Sequence, residues 1–190
     1  MKKVAWEIQS LSLLPVLKYC KKCGKKNVFV CSEQFRINAQ RKSLDVWLIY
    51  KCSSCNTTWN ADVYSRVVPQ AIPQALLDGF CKNDKELVKQ YAMDSSFLQN
   101  HGVEAGLPKY SILGERFSFS EDTEVEIKNQ YSLPIRISSA VREKLHLSQR
   151  EYLQLVSEGQ IESVPGQNLK KAKLKARTVL ILKGKKGKFL

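Results

Sequence analysis

The chain has 190 residues, 43% of them hydrophobic, and a formal charge of +13. That length holds one large domain or two small ones, and that composition suffices for a packed core, which excludes a disordered chain. No stretch approaches the roughly 20 apolar residues of a membrane-spanning helix. Residues 1–66 carry twelve Lys/Arg against four Asp/Glu, residues 67–167 ten against fourteen, and residues 168–190 nine against none. Two basic ends around a slightly acidic middle point to a polyanionic partner, most often nucleic acid. A solvated basic surface that aids solubility is the alternative.

The opening Met1-Lys2-Lys3-Val4-Ala5-Trp6-Glu7 reaches an acid before any apolar run, so no signal peptide and a cytoplasmic setting are expected. Val4, Trp6 and Ile8 alternate as in a short strand. Cys20-Lys21-Lys22-Cys23 and Cys52-Ser53-Ser54-Cys55 follow, separated by 28 residues. Each Cys-x-x-Cys turn can aim two thiolates at one ion. Two such turns supply the four sulfurs of a closed tetrahedral site, so Cys20, Cys23, Cys52 and Cys55 read as ligands of a structural Zn2+. Gly24 would relieve the first turn. A pair of disulfides, or a site without its metal, is the alternative. In a reducing compartment paired cysteines more often hold metal. Cys31 and Cys81 sit in apolar contexts and are expected to be buried free thiols.

Two strand-like runs, Asn27 to Asn38 and Leu44 to Lys51, would form a hairpin that returns the second cysteine pair to the first. The run from Val28 is apolar on both alternations and is expected to be covered on both sides. Gln40-Arg41-Lys42-Ser43 is the polar turn, and residues 57–64 supply a further strand. Lys18, Lys21, Lys22, Lys25, Lys26, Arg36, Arg41 and Lys42 are interleaved with Phe35, Trp47 and Trp59. Such a surface can meet phosphates and stack a base. The bland reading places the aromatics, Trp47 above all, in the core.

Pro69 and Pro73 mark a change to helix. A helix is expected over about 73–81, a second capped by Asn83 with Glu86, and a third started by Asp94-Ser95-Ser96 and stopped by His101-Gly102. His101 is expected on the surface. Strands follow near 110–113 and around Val125 and Ile127. Ser138–Leu145 and Ser148–Glu158 read as two short helices, with Ser148 as N-cap and Gly159 as stop. Residues 178–182 form a last strand before the flexible basic tail 184–188.

The segment from Arg136 to Ser148, then Tyr152, Leu155-Val156, Gly159, Ile161, Lys173-Leu174-Lys175 and Val179–Leu182 resemble the alpha-L RNA-binding motif over residues 133–183. That motif occurs in a ribosomal small-subunit protein, in pseudouridine synthases and in a tRNA synthetase. The resemblance implies binding of structured RNA (rRNA or tRNA) through Arg136, Arg142, Arg150, Lys170, Lys171, Lys173, Lys175 and Arg177. Ser138 stands where the motif has Asp, Gln149 where it has Arg, and Arg177-Thr178 where it has Gly-Asp. Its Asn-Gly turn is missing, and Pro165-Gly166 could serve instead. A helical hairpin that merely packs on the last strand is the alternative.

Residues 35–40, 44–52 and Thr58-Trp59-Asn60 resemble a bacterial family named domain of unknown function 1062. That likeness implies chain extent and a bacterial cytosolic setting, and no activity. No nucleophile elbow, P-loop, dinucleotide fingerprint or His-rich cluster is present, and His101 and His146 are the only histidines, so an enzyme is not expected and no small-molecule substrate is identified.

The expected fold is α+β: an N-terminal antiparallel zinc ribbon sheet over 1–66, a short helical linker segment over 67–105, and a C-terminal alpha-L-like basic domain over 106–190. The expected function is non-catalytic, zinc-stabilised RNA binding. A protein–protein adaptor and a dithiol redox protein, whose lysine-flanked thiols would favour thiolate, are the other readings.

Overall fold

The computed structural model describes residues 1–40, 42–115 and 121–184. In chain order the strands and helices are β1 (Lys2–Ser10), β2 (Val16–Cys20), β3 (Lys25–Gln40), β4 (Ser43–Cys52), β5 (Thr58–Val67), α1 (Gln74–Cys81), α2 (Lys85–Ala92), α3 (Ser95–Asn100), β6 (Glu104–Ala105), β7 (Tyr110–Gly114), β8 (Thr123–Lys128), α4 (Ile137–Leu145), α5 (Gln149–Ser157), β9 (Ile161–Val164) and β10 (Arg177–Leu182). Arg41 and the tail from residue 185 on lie outside the described residues. No helix among the described residues is long and apolar enough to cross a membrane.

The chain is mixed α+β, with two five-stranded sheets. It divides into two compact units, Ser12–Lys109 and Met1–Leu11 with Tyr110–Leu190. This division differs from boundaries at 66 and 105. The first strand is the reason. β1 runs parallel to β8, with Val4 beside Val125 and Trp6 beside Ile127. Its buried side chains, Val4, Trp6 and Ile8, therefore join the core of the C-terminal half.

In the unit Ser12–Lys109 the sheet order is β5-β4-β3-β2-β6, antiparallel throughout. Leu44, Val46, Leu48 and Tyr50 alternate inward along β4. In β3, Ser32, Glu33 and Gln34 together oppose Ile49, between the pairs Cys31–Tyr50 and Phe35–Leu48. Glu33 takes φ 58 there, and the Ser32 hydroxyl donates to the Ile49 carbonyl at 2.9 Å. The bulge adds two residues, an even number, so Phe29 and Phe35 stay on one face. Both are buried, whereas Val28 and Val30 are exposed. The strand is thus covered on one side, not two.

The segment expected as a linker belongs to this unit, with α1 and α2 packed on β3. A row of aromatic contacts ties helices to sheet: Phe35 to Phe80 at 4.8 Å, Phe80 to Tyr91 at 6.0 Å, Tyr91 to Phe97 at 5.4 Å, Phe97 to His101 at 4.7 Å, His101 to Trp59 at 6.1 Å and Trp59 to Tyr50 at 5.2 Å. Each such pair contributes about 0.5–1.5 kcal/mol beyond its area burial. The cap of α2 is Asp84, which accepts from the Leu87 amide, rather than Asn83. Asn83 adopts φ 52 beyond α1, and its side chain accepts from the Phe35 amide at 2.6 Å. Cys81 is exposed and Cys31 half-buried, so neither is the fully buried thiol expected. Burial pushes the Cys31 thiol up to about 11.

In the second unit the order is β7-β1-β8-β10-β9. Thr123, Val125 and Ile127 of β8 and Thr178, Leu180 and Leu182 of β10 alternate inward. Gly114 ends β7 at φ 117, where a Cβ would collide with the Ala5 carbonyl. The helices supply Ile137, Ala140, Val141 and Tyr152 to the core, and the Tyr152 hydroxyl donates to the Leu169 carbonyl at 2.9 Å. His146 in the left-handed region (φ 56) ends α4. Ser148 forms a full capping box with Glu151, and Gly159 (φ 68) follows the end of α5.

Ser148→Ala is expected to lower stability in urea by about 1 kcal/mol. Hydrogen bonds from the Ser148 side chain and backbone hold the Glu151 carboxyl below its ordinary value of 4.5. The carboxylate's part of the capping box is therefore whole above that pH and is lost as pH falls through the lower, folded-state value, while the bond from the Glu151 amide to the Ser148 hydroxyl does not titrate. Glu151→Gln should flatten that acid limb in pH-dependent melting.

Candidate metal centre

Two hairpin turns build the site. β2 ends at Cys20, which pairs with Lys25 at the start of β3. β4 ends at Cys52, which pairs with Phe29 of the same strand. β3 therefore sets the turns side by side, as the expected hairpin requires. The turns share one local geometry. The Gly24 amide donates to the Cys20 carbonyl at 2.9 Å, and the Asn56 amide to the Cys52 carbonyl at 2.9 Å. The residue after each second cysteine is left-handed, Gly24 at φ 67 and Asn56 at φ 58. Glycine and asparagine enter that region most readily. The Ser53 amide donates to the Val28 carbonyl at 2.9 Å, which ties the second turn to β3.

The four sulfurs of Cys20, Cys23, Cys52 and Cys55 all lie within 4.8 Å of one another. Cys20 is 3.5 Å from Cys55, and Cys23 is 4.0 Å from Cys52. Tetrahedral zinc with Zn–S bonds of about 2.3 Å requires sulfurs about 3.8 Å apart, so the donor set fits that ion. The electrostatics agree. Hydrogen bonds from the Thr57 side chain and backbone lower the Cys55 thiol to about 6. Cys23 is pushed up to about 12, first by its hydrogen bond to Cys55 and then by desolvation. Four apposed thiols do not ionise together unless a cation is shared among them.

Lys21, Lys22, Lys25 and Lys26 are exposed around the first turn. Lys18 lies over the Trp59 ring, 4.8 Å from its centroid. The aromatics singled out in the sequence do not form an open platform. Phe35 is buried in the aromatic row. Trp47 is half-buried rather than in the core, and its Nε1 donates to Asp62 at 2.7 Å. Among the described residues the exposed aromatic is Tyr19, which sequence reasoning passed over although it stands next to Cys20. His101 is half-buried, not a surface residue, with its ring nitrogens 2.8 Å and 3.0 Å from the carbonyls of Phe97 and Asp62.

The basic residues of the second unit separate into two groups. A backbone bridge sets Arg136 opposite Lys173. The Ile137 amide donates to Ala172, and the Leu174 amide to Ile135, so residues 172–174 run along the entry to α4. Lys171, Lys173 and Lys175 are exposed while Leu174 is buried, and Arg136, Arg150 and Lys170 are exposed too. Arg142 and Arg177 are engaged internally. Arg142 donates to the Leu147 carbonyl and, at 2.9 Å, to Gln149 across the helix–helix turn. Arg177 pairs with Glu126 at 2.8 Å.

Gly24→Ala should destabilise the unit by about 1 kcal/mol, because alanine is strained in the left-handed region although nothing lies within 4 Å of its Cβ. Asn56→Gly should be nearly neutral, and urea titration of both variants checks the contrast.

No curated protein and no solved structure matches the chain. A family model described as protein of unknown function (DUF1062) matches residues 37–167, a stretch that includes Cys52 and Cys55 and begins after Cys20 and Cys23. That match covers more than half of the sequence, and the chain belongs to the DUF1062 family.

Proposed function

We propose that this protein is a non-catalytic, zinc-stabilised RNA-binding protein whose RNA contact is the basic strip of the C-terminal unit. The observation that carries the reading is the strip's construction. Lys171, Lys173 and Lys175 are exposed, while Leu174 between the last two is buried, and Arg136 sits across from Lys173. No ion pair among the described residues involves these four side chains. Cations held on a buried backbone anchor, with no acid to neutralise them, suit a phosphate backbone. The alpha-L resemblance adds structured RNA as the class, recognised by shape more than by sequence. Lys170 extends the strip along the chain, Arg150 is a further exposed cation on α5, and Arg142 and Arg177 serve the scaffold.

Zinc supports folding in this reading. Four thiolates close the coordination sphere, so the ion has no open position for substrate or water. The purified chain should carry one tightly held zinc by elemental analysis. Cys52→Ser should lose that stoichiometry and melt at lower temperature; unchanged metal and melting would reject the zinc assignment.

RNA binding is measured by fluorescence anisotropy on an rRNA hairpin at several salt concentrations. Replacing Lys171, Lys173 and Lys175 together with alanine should weaken binding across unrelated hairpins. The salt slope should fall by about one for each phosphate that no longer meets a lysine. A triple variant that binds as tightly as the parent would refute the C-terminal interface.

A further inference from the structure

The sheet of the Ser12–Lys109 unit has a second face that its helices leave open. Leu17 pairs with Val28 and Tyr19 with Lys26 across β2 and β3, and Val30 pairs with Lys51 across β3 and β4. Residues two apart on a strand share a face, so these six side chains lie together. Their opposite numbers Val16, Phe29, Tyr50 and Cys52 are buried. Leu17, Tyr19, Val28 and Val30 are 37%, 58%, 43% and 47% exposed, an apolar group in the middle of a sheet. Lys26 and Lys51 border it, both exposed, and Glu104, opposite Leu17 on β6, is the acid at its margin.

The geometry points to a docking site for an extended polypeptide segment in which Asp or Glu alternates with aliphatic or aromatic residues. This site does not depend on the RNA reading. Three features select that occupant. The patch has an apolar centre and a charged rim, the anatomy of a protein–protein contact. Three of its four apolar members are aliphatic and offer a base nothing to stack on, which disfavours RNA. The rim is cationic, so a second copy docked face to face would set lysines against lysines, whereas an acidic segment would neutralise them.

The sheet edge adds a backbone component. β3 pairs with β2 along all five residues, but β6 pairs only with Val16 and Leu17. Among the described residues, no strand lies beyond β6 alongside Lys18–Cys20. An extended segment added there would form ladder hydrogen bonds and place every second side chain on the patch.

The probe is a random heptapeptide phage library panned on the zinc-loaded full chain. Enriched sequences should alternate acids with aliphatic or aromatic residues. A synthetic peptide of that consensus should bind the parent at least about tenfold more tightly than the double variant Tyr19→Ala/Val28→Ser, with the variant's melting and metal content unchanged. If that variant does not fold, the charge reversal Lys26→Glu/Lys51→Glu decides in its place and should cost a similar factor. Failure to enrich acidic–apolar sequences, or equal affinity for parent and folded variants, overturns the proposal. So does a twelve-residue uridine RNA, or a phosphatidylserine vesicle, that binds the parent and fails to bind the same variants.

Discussion

Four sulfurs held within 4.8 Å are an electrostatic problem before they are a binding site. One thiol of the set, Cys55, is driven down by its hydrogen bonds from Thr57, and another, Cys23, is driven up by its hydrogen bond to Cys55 and by desolvation. A shared dication resolves that conflict, and the surrounding chain is shaped to receive one. Both turns place a left-handed residue at the same point, Gly24 and Asn56, and both return an amide to the carbonyl of their first cysteine. Four thiolates around one dication would leave two net negative charges, and Lys21, Lys22, Lys25 and Lys26 are exposed along the first turn and the start of β3.

The rest of that sheet is held by different physics. Away from the cysteines, the row from Phe35 through Phe80, Tyr91 and Phe97 to His101 and Trp59 joins the helices to β3 and β5. Backbone hydrogen bonds hold the cysteine turns, and aromatic burial fixes the sheet's inner face. Between them the bulge at Ser32–Gln34 lets a sixteen-residue strand curve without changing which face its side chains take.

Much of this is legible in the sequence, for reasons that can be named. The cysteine spacing, the β4 alternation, the helix stops at Gly102 and Gly159 and the Ser148 capping box are local signals, and each describes the element it sits in. What the sequence hides is long-range. The alternation in β1 shows a strand but not its partner, and that partner lies more than 110 residues away in β8. The helices read as a connector because their periodicity does not say which sheet they cover. Asn83 resembles a cap because Asn and Asp are both good caps, and only the left-handed backbone after α1 moves that role to Asp84. Val28 and Val30 read as doubly covered because apolar composition on both alternations is the mark of a buried strand. An exposed docking face leaves the same mark.

The excess of positive charge sorts by what each cation already holds. Lys144 donates to the carbonyls of Ile112 and Gly114, where it secures the end of β7. Arg142 spans the turn between α4 and α5, and Arg177 answers Glu126 on the neighbouring strand. Lys18 rests on Trp59. Removing any of these would perturb the fold and the charge together, so weaker binding in such a variant would not identify an interface. Arg136, Lys171, Lys173 and Lys175 differ because their backbone is anchored while their side chains enter no ion pair among the described residues. The cations of the described residues thus include some that hold the fold together and, around one short stretch of chain, a set whose side chains enter no ion pair there.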